Sequence, residues 1–182
     1  MMDHHDISFR FAPSEDTAEF SGYAVIWGER NAHNEIIQRG AFAKSLAEHR
    51  AAGRQPVMLY SHIPSEIIGV WDEVREDDKG LFVRGHLLTE LSIGKDAHIR
   101  MKSGAVSGLS IGFRVYPGGE KRSAGTRYLT AVQLSEISVV GLPSAGSARI
   151  TSVRNHGRPA GSAAAFVEAC RKAKCALIVK GK

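Results

Sequence analysis

Aromatic and β-branched residues crowd the segment Glu19-Phe20-Ser21-Gly22-Tyr23-Ala24-Val25-Ile26-Trp27, which predicts a first strand. After a polar loop, Gly40 to Arg50 changes period. Phe42, Leu46 and His49 fall on one helical face, and Gly53 supplies a stop. Pro56-Val57-Met58-Leu59-Tyr60 is a short apolar run, read as a buried strand that delivers His62 to a loop. Ile67 to Arg75 and Leu81 to Leu88 predict two strands around the turn Glu76-Asp77-Asp78-Lys79-Gly80. Ile93, Ala97 and Met101 recur at spacings of four and mark a helix over Leu91 to Ser103. Val106 to Tyr116 alternates as a strand, Pro117 to Gly125 is a Gly- and charge-rich hairpin loop, and Thr126 to Val140 predicts a single return strand. Leu142 to Gly146 closes this region. Residues 154–162 read as a linker, and Ala163 to Lys174 as an amphipathic helix carrying Phe166, Val167 and Cys170 on one side.

Strands outnumber helices and do not alternate regularly with them, so a doubly wound parallel sheet is disfavoured. The pattern predicts an α+β, mainly β fold: an antiparallel sheet or barrel with helices packed outside. The expected organisation is a flexible N-terminal segment (1–18), one folded domain (19–150), and a basic linker and tail (151–182).

Composition narrows this picture. A hydrophobic fraction of 43% with 24% charge suits a globular domain with a core, and no apolar run approaches a membrane span. The polar N-terminus has no secretory core, which places the expected chain in the cytoplasm. The net charge of +5 is uneven: residues 149–182 carry eight basic residues and one acidic residue, Glu168, leaving a slightly acidic body. That distribution argues against a general nucleic-acid binder. It fits an attachment arm or a solvated tail. Cys170 and Cys175 both lie in the tail and read as free thiols.

Candidate chemistry begins with Gly108-Leu109-Ser110-Ile111-Gly112, a G-x-S-x-G run. An α/β-hydrolase elbow needs a strand before the serine, a helix after it and a late histidine. Here a helix precedes and a strand follows, and the only later histidine is His156, in the linker. An esterase of that type is therefore a poor fit. On an extended strand Ser110 faces away from Leu109, Ile111 and Phe113, flanked on its own face by Gly108 and Gly112. Those glycines either open space for another backbone or form a bulge without chemistry.

His62, at the end of an apolar strand, is well placed as a general base. Seven other histidines compete, and His33 with Glu35 is only a weak metal-ligand pattern. Glu136 interrupts the otherwise apolar or small run Leu134-Ser135-Glu136-Ile137-Ser138-Val139-Val140. A buried carboxylate there needs a partner such as His62, whereas one on an edge strand would simply face water. Together Ser110, His62 and Glu136 supply a nucleophile, a base and an orienting acid.

The joint order of FSGYAVIWG (20–28), RGAFAKSL (39–46), PVMLYSHIPSEIIGVWDEVREDDKGLFVRG (56–85), SGLSIGFRV (107–115) and LSEISVVGLPSAGSARI (134–150) resembles the prohead, or capsid-maturation, proteases of tailed bacteriophages and related gene-transfer particles. These in turn are similar to the herpesvirus assemblins. The resemblance implies an antiparallel β-barrel core flanked by helices. His62 matches the catalytic histidine, Ser110 the nucleophile, and Glu136 the acidic position, where assemblins place a second histidine. It further implies oxyanion donors in the turn Ser144 to Ala148 or from Arg149, and no metal or cofactor. The implied substrate is the major capsid protein with its scaffold segment, and the implied setting is the assembling prohead in a bacterial host. Self-cleavage, a homo-oligomer and contact with the portal or shell belong to the same expectation, as does a basic tail that tethers the enzyme to acidic scaffold. A non-catalytic assembly protein of the same fold is the alternative; the presence of His62, Ser110 and Glu136 together weighs against it.

Overall fold

A computed structural model of the chain describes residues 18–155. Ten strands and two helices follow in the order β1 (Ala18–Ile26), β2 (Glu35–Ile37), α1 (Ala43–Ala51), β3 (Val57–Tyr60), β4 (Ile63–Glu76), β5 (Gly80–Leu87), α2 (Ser92–Lys102), β6 (Gly108–Val115), β7 (Glu120–Ser123), β8 (Thr126–Leu129), β9 (Val132–Val140) and β10 (Ile150–Asn155). Seven strands form one sheet in the order β10-β1-β5-β4-β3-β9-β6. All neighbours in it are antiparallel except β3 and β9. A small second sheet has the order β2-β8-β7.

The large sheet curls because one segment reaches both of its sides. The Arg149 carbonyl accepts from the Tyr23 amide of β1 at 3.1 Å. One residue to either side, the Ala148 carbonyl accepts from Leu109 and the Ile150 amide donates to Ser107, both at 2.9 Å. The result is a half-barrel whose concave side holds the core. Phe20 and Trp71 meet edge to face at 5.3 Å, with Met58, Ile68, Leu81, Val83, Leu109, Ile137 and Val139 buried around them. Helix α1 buries Leu46 and His49 beneath an equally buried Phe42, the face its periodicity predicts. Its first turn is tied to β4 by the Phe42 amide donating to Glu76 Oε1 at 2.8 Å. Helix α2 buries Ala97 and Met101. Among the described residues no helix is long and apolar enough to cross a membrane.

Several elements differ from expectation. The return strand expected over Thr126 to Val140 is two strands in different sheets. The break comes at Thr130 and Ala131, whose amides both turn to the Gly119 carbonyl, while Val132 N donates to Ala41 O. The loop Pro117 to Gly125 contains β7, closed on β8 by a two-residue turn in which Ala124 (φ 46°) and Gly125 (φ 75°) both adopt left-handed backbone. The linker reading of 154–162 starts inside β10, which pairs with β1 from Ala18↔Asn155 inward. The N-terminal segment before residue 18, and the tail beyond Asn155 with its expected helix at 163–174, lie outside the described residues.

Candidate active site

The site begins with a change of phase in β9. Val132 and Leu134 are buried while Gln133 and Ser135 are exposed, yet the next buried core residues are Ile137 and Val139. The strand can bury both pairs only by adding one residue. Phe113 on β6 faces Leu134, Gly112 faces Glu136, and Ser135 between them has no partner in the ladder. This bulge turns Glu136 and Ser138 onto the face that carries Ser110, which pairs directly with Ser138.

Gly112 makes that arrangement possible. A Cβ there would lie 2.2 Å from Glu136 Oε1, so the carboxylate can cross β6 only over a glycine. A Cβ on Gly108 would meet the Pro143 ring and the Val140 carbonyl, both at 2.7 Å. The sequence reading that these glycines admit a foreign backbone is therefore corrected. They make room for the protein's own groups.

His62 is delivered by a hairpin turn. Tyr60 pairs with Ile63, and the intervening Ser61 (φ 51°) and His62 (φ 62°) both lie in the left-handed region, as a two-residue type I′ turn requires. Non-glycine residues there are strained. The strain is offset by two bonds to β9: Ser61 N donates to Val139 O at 3.0 Å, and His62 N donates to Ser138 Oγ at 3.1 Å.

The imidazole then meets Glu136, Nδ1 to Oε1, at 2.6 Å. The other carboxylate oxygen accepts the Ser138 hydroxyl at 2.7 Å. A carboxylate can only accept, so Nδ1 carries the ring proton and Nε2 of the neutral ring keeps its lone pair. The Glu136 side chain is 13% exposed and that of His62 is 44% exposed, so the acid is shielded and the base is open. The partner that burial of Glu136 demanded is thus His62, together with Ser138.

His62 and Ser110 line one cleft of about 550 Å³. Ala24, Val25, Ile111, Phe113 and Pro143 supply apolar wall, and the β1–β2 loop and residues Leu142 to Ala145 form its rims. Ser110 is only 9% exposed, so it stands in the wall of the cleft and not on an open strand face. The two rims are joined: Ser147 N donates to Glu29 Oε1 at 3.1 Å, and Ala32 N to Ser144 O at 2.9 Å. Arg149 turns away to Gly146 O and Ser107 Oγ, and the Ala148 amide is taken by Ala145 O.

Comparison with known proteins now decides the family. The model for "Caudovirus prohead serine protease" matches residues 6–160. The chain belongs to that family. It is 34% identical over 138 residues to the prohead protease of Enterobacteria phage HK97, a match covering 75% of this chain and 60% of that relative. The match thus spans less than two thirds of the relative's length. In three dimensions it is similar to the bacteriophage T4 capsid assembly protease, with a TM-score of 0.58, 10% identity, and coverage of 69% of this chain and 82% of that one. It is also similar to KSHV protease, solved with a hexapeptide phosphonate inhibitor, with a TM-score of 0.51, 12% identity, and coverage of 74% and 64%. The mainly β, assemblin-like fold expected from the sequence is the fold observed.

Within this prohead protease family member, other candidates have different engagements. Glu35 is held by Arg127 at 2.6 Å and Asn31 at 3.0 Å, which leaves His33 without the metal-binding partner considered above. Among the described residues no group of three or more His, Cys, Asp or Glu side chains is placed to hold a metal ion. Ser138 was missed by sequence reasoning. Its signal was present, two residues after Glu136 on the same strand face, but a small serine in a strand announces nothing until its neighbours are known.

Proposed function

We propose that this chain is a serine endopeptidase that cleaves capsid protein and its scaffold segment as proheads mature. The observation that supports it most directly is the 2.6 Å His62–Glu136 bond, whose imidazole shares a cleft with Ser110. Ser110 Oγ attacks the scissile carbonyl carbon and passes its proton to His62 Nε2. The C–N bond then breaks as His62 returns that proton to the leaving amine. Water repeats the sequence on the acyl-enzyme and restores Ser110. Glu136 fixes the tautomer and stabilises the imidazolium, and Ser138 holds the carboxylate in place.

The Ser147 and Ala148 amides are taken, which leaves those of Ser144, Ala145 and Gly146; of these residues Ser144 and Ala145 line the cleft and are the proposed donors to the oxyanion. The named relatives, a prohead protease and a capsid assembly protease, support a capsid-protein substrate and action within the assembling particle. Self-cleavage, homo-oligomer formation and tethering by the basic tail extend the same reading. A deletion testing the tether should begin at residue 156, since residues 150–155 are β10.

The deciding experiment co-expresses the chain with its cognate capsid protein, as wild type and as Ser110→Ala. The expected outcome is assembled particles with unprocessed capsid protein in the variant. Processing that persists without Ser110 would remove the serine from the mechanism.

A further inference from the structure

Helix α1 touches the site at one residue of backbone. Leu134, at the foot of the β9 bulge, gives its amide proton to Ser45 Oγ at 2.9 Å, and its carbonyl meets His49 Nε2 at 2.8 Å. Since the carbonyl can only accept, His49 carries its proton on Nε2. Both side chains are buried, at 1% and 7% exposure. They sit one helical turn apart, which stacks them on one face of α1.

The geometry explains why a helix has to do this. On one side of β9, strand β6 pairs along its whole length. On the other, β3 begins only at Val57, opposite Glu136. Leu134 therefore lies beyond the start of its second neighbour, with a buried N–H and C=O and no strand to take them. Buried backbone groups must be paired, so Ser45 and His49 take the place of the missing strand.

The residue they hold is the last one before the bulge. Ser135 is the unpaired residue, and the phase of everything after it depends on where the bulge falls. A slip of one residue would send Glu136 towards the core and Ile137 towards the cleft.

We infer that Ser45 and His49 are positioning residues for the His62–Glu136 pair. They clamp the Leu134 peptide from the side that β3 leaves open, and so fix the bulge that aims Glu136 across Gly112. This rests on the catalytic reading of that pair. The two can be separated, because the clamp has a readout that does not need turnover: the downfield proton resonance of His62 Nδ1–H bonded to a carboxylate.

The full chain is compared as wild type, His49→Ala, His49→Gln, Ser45→Ala and Leu46→Ala, with Glu136→Gln as the reference for loss of the signal. His49→Ala and Ser45→Ala are expected to weaken or shift the His62 signal. They should also lower kcat on the cognate capsid protein by about 100-fold with KM little changed, the pattern of a misplaced catalytic group. His49→Gln, whose side-chain N–H can reach the same carbonyl, is expected to restore both. Leu46→Ala removes a buried side chain of the same helix without touching Leu134's peptide. It should lower the melting temperature and leave the signal in place.

If His49→Ala does not fold, Ser45→Ala and His49→Gln decide the matter. A folded His49→Ala or Ser45→Ala with wild-type signal and kcat would overturn the clamp. So would Leu46→Ala behaving as they do. Turnover that survives Ser110→Ala would instead overturn the catalytic reading, and the link between Leu134 and the His62 signal would stand.

Discussion

Among its described residues this protein has two histidine–carboxylate pairs, and they are built differently. His62 meets Glu136 and His86 meets Asp72, each through Nδ1, and each carboxylate lies at a bulge. Ser135 precedes Glu136, and Asp72 is itself the unpaired residue between Trp71 and Glu73. His86 lies 3.1 Å from both Asp72 oxygens, so neither oxygen is set aside for a third group, and both side chains are about one-third exposed. Glu136 instead divides its oxygens between His62 and Ser138, shielded from water, beside a cleft holding a serine. An imidazole and a carboxylate in contact therefore do not by themselves make a site. What sets the Glu136 pair apart is a third group that fixes the acid, a strained turn that holds the imidazole and a serine lining the same cleft.

The largest expected effect tests that contrast directly. Glu136→Gln should lower capsid cleavage by about 100- to 10,000-fold, as loss of the group orienting a general base does. Asp72→Asn should change the same rate by less than about twofold, since an exposed pair contributes little. Comparable losses in both would erase the distinction.

Gly112→Ala comes next. Its new Cβ would collide with Glu136 Oε1, so cleavage should fall by about 100-fold through misplacement of the carboxylate. A variant that cleaves at the wild-type rate would show that the carboxylate need not cross β6.

Ser138→Ala removes both the acceptor for His62 N and the donor to Glu136. It should destabilise the fold by about 1–3 kcal/mol, measured by denaturant unfolding, and slow cleavage less than Glu136→Gln does. Equal rates for Ser138→Ala and wild type would mean that a third group is not what separates the two pairs.

The smallest effect concerns a carboxylate at the far end of β4. Partial burial pushes Asp77 up, but the Lys79 and Gly80 amides, the Tyr23 hydroxyl and Arg75 outweigh this and hold its carboxyl below the ordinary value. A folded-state value below the unfolded one gives stability that is present at neutral pH and lost as pH falls through the folded value. Asp77→Asn should therefore melt earlier than wild type at neutral pH, with the gap closing in acid and cleavage unaffected. A gap that persists in acid would assign it to lost bonds and not to charge.

Much of this was readable along the chain. The period of Phe42, Leu46 and His49 marked the buried face of α1. The aromatic and β-branched run of β1 and the alternation of β6 marked the strands. The cost of burying Glu136 demanded a partner, and the structure brings that residue to His62 with Ser110 in the same cleft. The misreadings share one cause. The glycines beside Ser110 looked like space for a substrate, because the residues that fill that space, Glu136 and Pro143, lie more than twenty positions away. His49 looked like one more core residue, because nothing near it in sequence shows that it faces the Leu134 carbonyl.

Local pattern determined which segments become strand or helix and which side chains seek the core, since burial and backbone preference act within a few residues. Tertiary structure alone decided where β9 bulges, that Ser61 and His62 form a type I′ turn, and that Ser138 joins the site. Each depends on hydrogen-bond register between segments distant in sequence. A shift of one residue in that register exchanges the cleft face for the core face, and no segment taken by itself contains that choice.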